Sequence, residues 1–349
     1  MIIKILKKIV KVRDYSAYHS RHKTSALKIL KNIESDNGKT SAELIKRCDE
    51  YAIEVLGWKG YSPWLYVYSA MSGEFKEGWI PDNYYGKIVI PSIKGDYGRI
   101  ADLKSISPRI LNTDLLPDLA YYVNGLWVSK ENEIIPEKSI KEYLFNKSNK
   151  VVFKLDNSEQ GKGVFVLDQF TFDLNQVKHL GNGVFQDFIN QHVFFDEFIT
   201  RSVATIRLTT VIDNTGKSSA RACYLRFGRK SDSHIQSTSN IRIPIDIETG
   251  EFSETGYSSD WRKIDRHPDS NTKFKNKIIP LFQNIKFEAL KLQSEMPYAK
   301  CIGWDLILDK ENKIKLMEWN GVHNGIKFHE SSQGPCFADL GWENIYRKH

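Results

Sequence analysis

Near the C-terminus two apolar stretches each carry an acid at or near their end: Cys301-Ile302-Gly303-Trp304-Asp305, then Lys315-Leu316-Met317-Glu318-Trp319-Asn320. Between them, Asp309-Lys310-Glu311-Asn312-Lys313 has the composition of a turn. Two strands joined by a hairpin would bring Asp305 beside Glu318 and Asn320. Residues i and i+2 of a strand share a face, so Glu318 and Asn320 lie on one side. Three hard oxygen donors on one side suit Mg²⁺ held against phosphates. Taken alone, the hairpin is described equally well as an ordinary one with two surface acids.

The chain has 349 residues, enough for two or three compact units. Its 41% apolar and 27% charged residues are those of a soluble globular protein. No apolar run reaches bilayer length, and lysines break the N-terminus too often for a signal peptide. Cys48, Cys223, Cys301 and Cys336 are scattered, without metal-binding spacing, and favour a reducing cytoplasm.

The net charge of +7 is concentrated in the first tenth of the chain. Residues 1–33 hold nine Lys and Arg against one acid, Asp14, so the remainder is close to neutral. This argues against a basic nucleic-acid-binding body. Among these lysines stand Ile2, Ile3, Ile5, Leu6, Ile9 and Val10. Two readings stay open: a helix docked on its own domain with lysines in water, or a peripheral contact with the anionic inner membrane face.

Residues 24–56 read as helical: Thr24-Ser25 caps the first helix, Asn37-Gly38 breaks it, and Thr40-Ser41-Ala42-Glu43 opens the next. The segment Trp58 to Tyr85 is rich in aromatic residues, as a buried core or a carbohydrate-stacking surface would be. Leu119–Val123 and Leu126–Val128 flank Asn124-Gly125, a hairpin signal. Ser139–Asn146 reads as helix, Lys150–Leu155 as strand and Leu281–Glu295 as helix. The order predicts α+β subdomains rather than a regular βαβ array.

Lys154 closes a strand that leads into Gln160-Gly161-Lys162-Gly163-Val164. Gly161 and Gly163 let backbone N–H groups approach a phosphate, and Lys154 could reach it as a point charge, although a plain β-turn also fits. Gln186-Asp187-Phe188-Ile189 ends an apolar stretch and could offer main-chain groups to an adenine edge. In Ser202-Val203-Ala204-Thr205-Ile206-Arg207, Arg207 is an arginine within a strand and needs an anionic partner, either a phosphate or a buried carboxylate.

Taken in order, these residues resemble the ATP-grasp superfamily, and within it the sugar-transfer-associated and teichuronopeptide-biosynthesis groups. The resemblance is carried by Val152-Phe153-Lys154, Gln160 to Val164, Ser202 to Arg207, Gly303-Trp304-Asp305 and Glu318-Trp319-Asn320. It implies ATP clamped between two α+β subdomains, 101–185 and 186–349, behind a helical and aromatic-rich region at 1–100. Lys154 would contact the α- and β-phosphates, and the loop with Gly161, Lys162 and Gly163 would close over the triphosphate. Gln186, Asp187, Phe188 and Ile189 would line the adenine, and Arg207 would steady the transferred phosphoryl group. Asp305, Glu318 and Asn320 would hold Mg²⁺ or Mn²⁺.

There are departures from the family pattern. Gln186 stands where an acid usually opens the linker, the ribose-binding acid is Asp196 or Glu197, and Asn240 lacks the Gly-Gly pair expected after it. Lys104 is a candidate second phosphate lysine, and Arg226, Arg229, His234, His323 and Asn324 are substrate-side candidates.

The implied activity is an ATP-dependent carboxylate–amine ligase that works through an acyl phosphate. It would join a sugar acid and an amine or amino acid during surface polysaccharide (O-antigen or capsule) synthesis in the cytoplasm. Two alternatives are a phosphotransferase acting on a sugar hydroxyl and a non-catalytic ATP-binding partner of a glycosyltransferase.

Overall fold

No glycine or proline interrupts the chain from Ile2 to Asn37, and these residues form a single helix in the computed structural model. The structure describes residues 2–158, 163–230 and 239–348, with side chains from residue 13 to 347. The expected cap at Thr24-Ser25 falls inside this helix, because Ala26, Leu30 and Ile33 continue its buried row. Gly38, with φ of 86°, ends it. Ser41 caps the next helix, Ala42–Glu54, by accepting a hydrogen bond from Leu44 N at 3.2 Å.

The contacts divide the chain into two compact units. The smaller one comprises residues 1–95, 260–263 and 325–349. Within it Trp64, Tyr68, Trp79, Tyr84 and Tyr85 are fully buried, so most of the aromatic segment is core. Trp79 Nε1 donates to the Glu330 carbonyl at 2.8 Å. The Glu330 carboxylate, fully buried, accepts from Ile80 N and Cys336 N, and burial raises its pKa well above the ordinary carboxyl range.

The larger unit, residues 96–259 and 264–324, contains two antiparallel sheets. The first is built from β1 (Asp118–Val123), β2 (Leu126–Ser129), β3 (Lys150–Leu155), β4 (Val164–Asp168) and β5 (Gly183–Asp187), in the order β2-β1-β5-β3-β4. Asn124 and Gly125 both take positive φ at the β1–β2 turn, as a two-residue hairpin of this type requires. Phe153, Phe185, Val151 and Trp127 fill its core.

The second sheet contains β6 (Thr205–Ile212), β7 (Ser218–Phe227), β8 (Ile241–Ile245), β9 (Gly256–Tyr257), β10 (Lys263–Ile264), β11 (Cys301–Leu308) and β12 (Ile314–Asn320). Its order is β10-β9-β8-β7-β6-β11-β12. The helix Phe282–Glu295 packs on β6 and β7. Its Gln293 is fully buried and satisfied: Oε1 accepts from Thr210 Oγ1 at 2.8 Å, and Nε2 donates to the carbonyls of Met296 and Ala299. Thr210 Oγ1 in turn accepts from Trp304 Nε1 at 2.7 Å. A saturated polar chain of this kind pins the helix to the sheet in one register.

Candidate active site on the second sheet

The predicted hairpin is present as β11 and β12, with Asp305 directly opposite Glu318 and Gly303 opposite Asn320. On its other edge β11 pairs with β6, placing Asp305 opposite Arg207, and β6 pairs with β7, placing Arg207 opposite Tyr224. Directly opposed residues share a face of the sheet. Glu318, Asp305, Arg207 and Tyr224 therefore form one row across four strands.

The register slips by one residue after Asp305, since Leu306 is opposite Leu316. Met317 is thus the extra residue of a β-bulge, which turns its carbonyl out of the ladder. That carbonyl accepts from Lys154 Nζ at 3.0 Å, which ties the end of β3 to the hairpin.

Asp305 is buried, and both of its oxygens are engaged. Arg207 donates to it through Nε at 2.5 Å and Nη2 at 2.9 Å, and Arg226 Nη2 stands 2.7 Å from Oδ2. Burial opposes its ionisation, but the two guanidinium groups outweigh that and hold its pKa well below the usual carboxylate range. The third nitrogen of Arg207, Nη1, donates to the Asn324 carbonyl at 3.2 Å. Glu318 lies in a recess that water reaches but protein crowds. Burial, and then the Asp305 carboxylate, raise its pKa. Burial lowers that of Lys154, opposed by Glu318 and Asp118.

Two like charges directly opposed on a strand pair are destabilising unless a cation lies between them. The donor set fits a hard divalent cation. Glu318 is an oxygen donor, Asn320 uses its Nδ2 on the Gly303 carbonyl and so leaves Oδ1, and the arginines use three of the roughly four lone-pair sites of Asp305. These three residues would hold the ion. No cluster of three His, Cys, Asp or Glu forms a metal site among the described residues.

A cleft of about 330 Å³ opens beside this row, lined by Asp102, Lys104, Ser158, Glu318, Asn320 and His323 among others. Lys104 Nζ lies 3.3 Å from the Ser158 carbonyl, and its backbone N–H donates to Asp156 at 2.8 Å. Gly163 closes the β3–β4 connection: its carbonyl accepts from Leu155 N at 2.9 Å, and a Cβ there would stand 2.4 Å from Ser158. Gly161 and Lys162 lie outside the described residues, as does His234.

The linker Gln186 to Ile189 leaves the end of β5. Gln186 is buried and donates to Asp118 at 2.7 Å, and its Oε1 has no hydrogen-bond partner among the described residues. Asp187 N–H donates to the Pro117 carbonyl, whereas Phe188 is exposed. Asp196 accepts from Gln191, and Glu197 pairs with Lys277. Asn240 is buried. Arg229 forms a two-pronged pair with Asp269 at 2.9 and 2.8 Å, a structural ion pair. Asn324 takes part through its backbone carbonyl.

The sequence reading missed Asp118, which sits beneath Lys154 at the start of β1, and burial pushes its pKa up to about 6. It also missed that Arg226 serves Asp305. Neither has a local signal, since each is brought in by strand order.

A family model described as sugar-transfer associated ATP-grasp matches residues 172–337. Among solved structures, the chain is similar to a biotin carboxylase–β-γ-ATP complex from Campylobacter jejuni, at 10% identity over 69% of this chain and 46% of that one, with a TM-score of 0.43. It is similar to an L-amino acid ligase from Bacillus licheniformis, at 12% identity over 70% and 47%, with a TM-score of 0.40. It is also similar to the D-alanine-D-alanine ligase from Coxiella burnetii, at 9% identity over 71% and 59%, with a TM-score of 0.40. The chain spans under half the length of the first two of these. No curated protein matches it.

Proposed function

We propose, from the premise that this chain belongs to the sugar-transfer associated ATP-grasp family, that it is an ATP-dependent carboxylate–amine ligase. The row Glu318–Asp305–Arg207 beside a cleft that also holds Lys104 carries this reading. The acceptor is a sugar-acid precursor of a surface polysaccharide, and the donor an amine or amino acid, met in the cytoplasm or at the inner membrane face.

A carboxylate oxygen of one substrate attacks the γ-phosphorus of ATP and ADP leaves. The amine then displaces phosphate from the acyl phosphate and gives up a proton as the amide forms. Positioning and charge neutralisation supply most of the catalysis in such phosphoryl transfers. Lys154, anchored on the Met317 carbonyl, presents a fixed positive charge at the end of β3. Arg207 and Arg226 are aligned by the carboxylate of Asp305 and so spend little order on meeting an anion. A divalent ion held by Glu318, Asn320 and Asp305 would neutralise phosphate oxygens.

ADP release measured against paired uronic acids and amino acids tests the reading, with the amide identified by mass. Full activity in Glu318→Ala would remove the metal assignment. A phosphosugar product in place of an amide would overturn the ligase reading.

A further inference from the structure

The cleft beside the metal row presents one charged group that the chemistry above leaves unused. Asp102 ends the short 3₁₀ helix Tyr97–Asp102 and lines the cleft together with Lys104, Glu318 and Asn320. Contacts within the same unit fix its backbone on both sides. Its carbonyl accepts from Asn157 N at 2.9 Å, and the Lys104 N–H, two residues on, donates to Asp156 at 2.8 Å. Near the start of the helix Gly98 lies so close to Gly321 that a Cβ would stand 2.3 Å from the Gly321 carbonyl oxygen.

The Asp102 carboxylate is half-buried, and among the described residues it has no hydrogen bond or ion pair. The two cations nearest to it in sequence are turned elsewhere. Arg99 pairs with Asp96 at 3.3 Å, and Lys104 Nζ lies 3.3 Å from the Ser158 carbonyl and 3.4 Å from its hydroxyl. A partly desolvated carboxylate without a cation is costly to hold, and one fixed on a cleft suited to phosphates repels them. A positive group that arrives with a ligand accounts for its place. A metal ion fits poorly: Asp305, Glu318 and Asn320 already supply an oxygen set, and among the described residues Asp102 belongs to no cluster of three His, Cys, Asp or Glu. An organic ammonium fits well, being a compact cation with three donors that one carboxylate and nearby phosphate oxygens satisfy.

We propose that Asp102 seats the ammonium group of the amine substrate, on the cleft that Glu318 and Asn320 also line. The site thereby selects a donor that is positively charged in solution, as a primary amine or amino acid is and an amide or hydroxyl is not. In the ligase reading the γ-phosphate lies at the metal row, so an ammonium beside Asp102 waits in the same cleft of about 330 Å³ for the acyl phosphate formed there. The identity of the cation as the amine substrate rests on that reading, whereas the site's preference for a cation rests on the geometry alone.

Calorimetric titration of the full chain with Mg²⁺ and AMP-PNP, a non-hydrolysable ATP analogue, tests the charge. Asp102→Asn should bind the analogue about threefold or more tighter than wild type, because a like charge beside the triphosphate is gone. Unchanged or weaker binding would overturn the proposal, and weaker binding that more Mg²⁺ restores would make Asp102 a metal ligand. The loaded protein is then heated in methylammonium chloride and in sodium chloride at equal ionic strength. Methylammonium should raise the thermal midpoint of wild type and not that of Asp102→Asn, and an equal response in both would also overturn the proposal. In the ADP-release assay Asp102→Asn should raise the KM for the amine about tenfold or more without raising that for ATP, and Asp102→Glu should recover part of the loss. If wild type forms no amide with any amine, the ligase reading fails, while the two titrations still decide whether Asp102 receives an organic cation.

Discussion

Asp305 and Glu318 face each other directly across β11 and β12, and the two-pronged pair with Arg207 goes to Asp305. Burial and then the Asp305 carboxylate raise the pKa of Glu318, against Lys154 and Arg226. Glu318→Gln should therefore leave the metal-free protein at least as stable as wild type, because it relieves a like-charge pair. The same variant should weaken Mg²⁺–nucleotide binding about tenfold or more, on the scale of one lost electrostatic contact. Thermal unfolding with and without Mg²⁺–ATP reads both effects. A variant destabilised without metal and unchanged with it would show that Glu318 is structural.

Removing Arg207 exposes the other side of this balance. Asp305 would keep Arg226 but lose its two-pronged partner while staying buried. Breaking a buried pair by deleting one member costs about 3–5 kcal/mol, so Arg207→Leu should unfold in markedly less urea. Arg207→Lys retains the charge without the fork and should recover only part of the loss.

Asp118 gives the protein a pH dependence of unusual sign. Its carboxyl is buried and its pKa is raised to about 6, so the folded state holds a proton that the unfolded chain releases near the ordinary value of about 4. Between those values the native state binds more protons, and its contribution to stability falls as pH rises. The loss reaches at most about 3 kcal/mol above pH 6, from about two units at 1.36 kcal/mol each. Asp118→Asn keeps an acceptor for Gln186 and has no proton to lose. Its midpoint should fall less than that of wild type between pH 4.5 and pH 7, roughly the window set by the two values.

Gly98 and Gly321 meet backbone to backbone beside the cleft. A Cβ on Gly98 would lie 2.3 Å from the Gly321 carbonyl oxygen, and one on Gly321 would lie 2.4 Å from that of Gly98. Neither neighbour is a side chain that can swing aside. Gly98→Ala should cost about 1–3 kcal/mol and displace the segment that carries Asp102 and Lys104. Differential scanning calorimetry reads the first effect and ATP affinity the second.

Much of the fold was legible because it rests on near neighbours. The turn at Asn124-Gly125, the cap at Ser41 and the Asp305…Glu318-x-Asn320 hairpin are all settled within about a dozen residues by backbone preference and alternation. The length of the first helix was misread, because Thr24-Ser25 has the chemistry of a cap but lies on a helix whose buried row runs on past it. Local propensity loses there to packing.

The residues themselves thus determined the hairpin and its acids and the lysine at the end of β3. Tertiary structure decided which charges meet. Arg207 and Asp305 are 98 residues apart, and Lys154 and Met317 are 163 apart. They come together because β11 inserts between β6 and β12 and because a bulge frees one carbonyl. No local pattern encodes that order. It follows from burying two sheets' worth of apolar side chains at once, and the charges take the partners that the strand order leaves within reach.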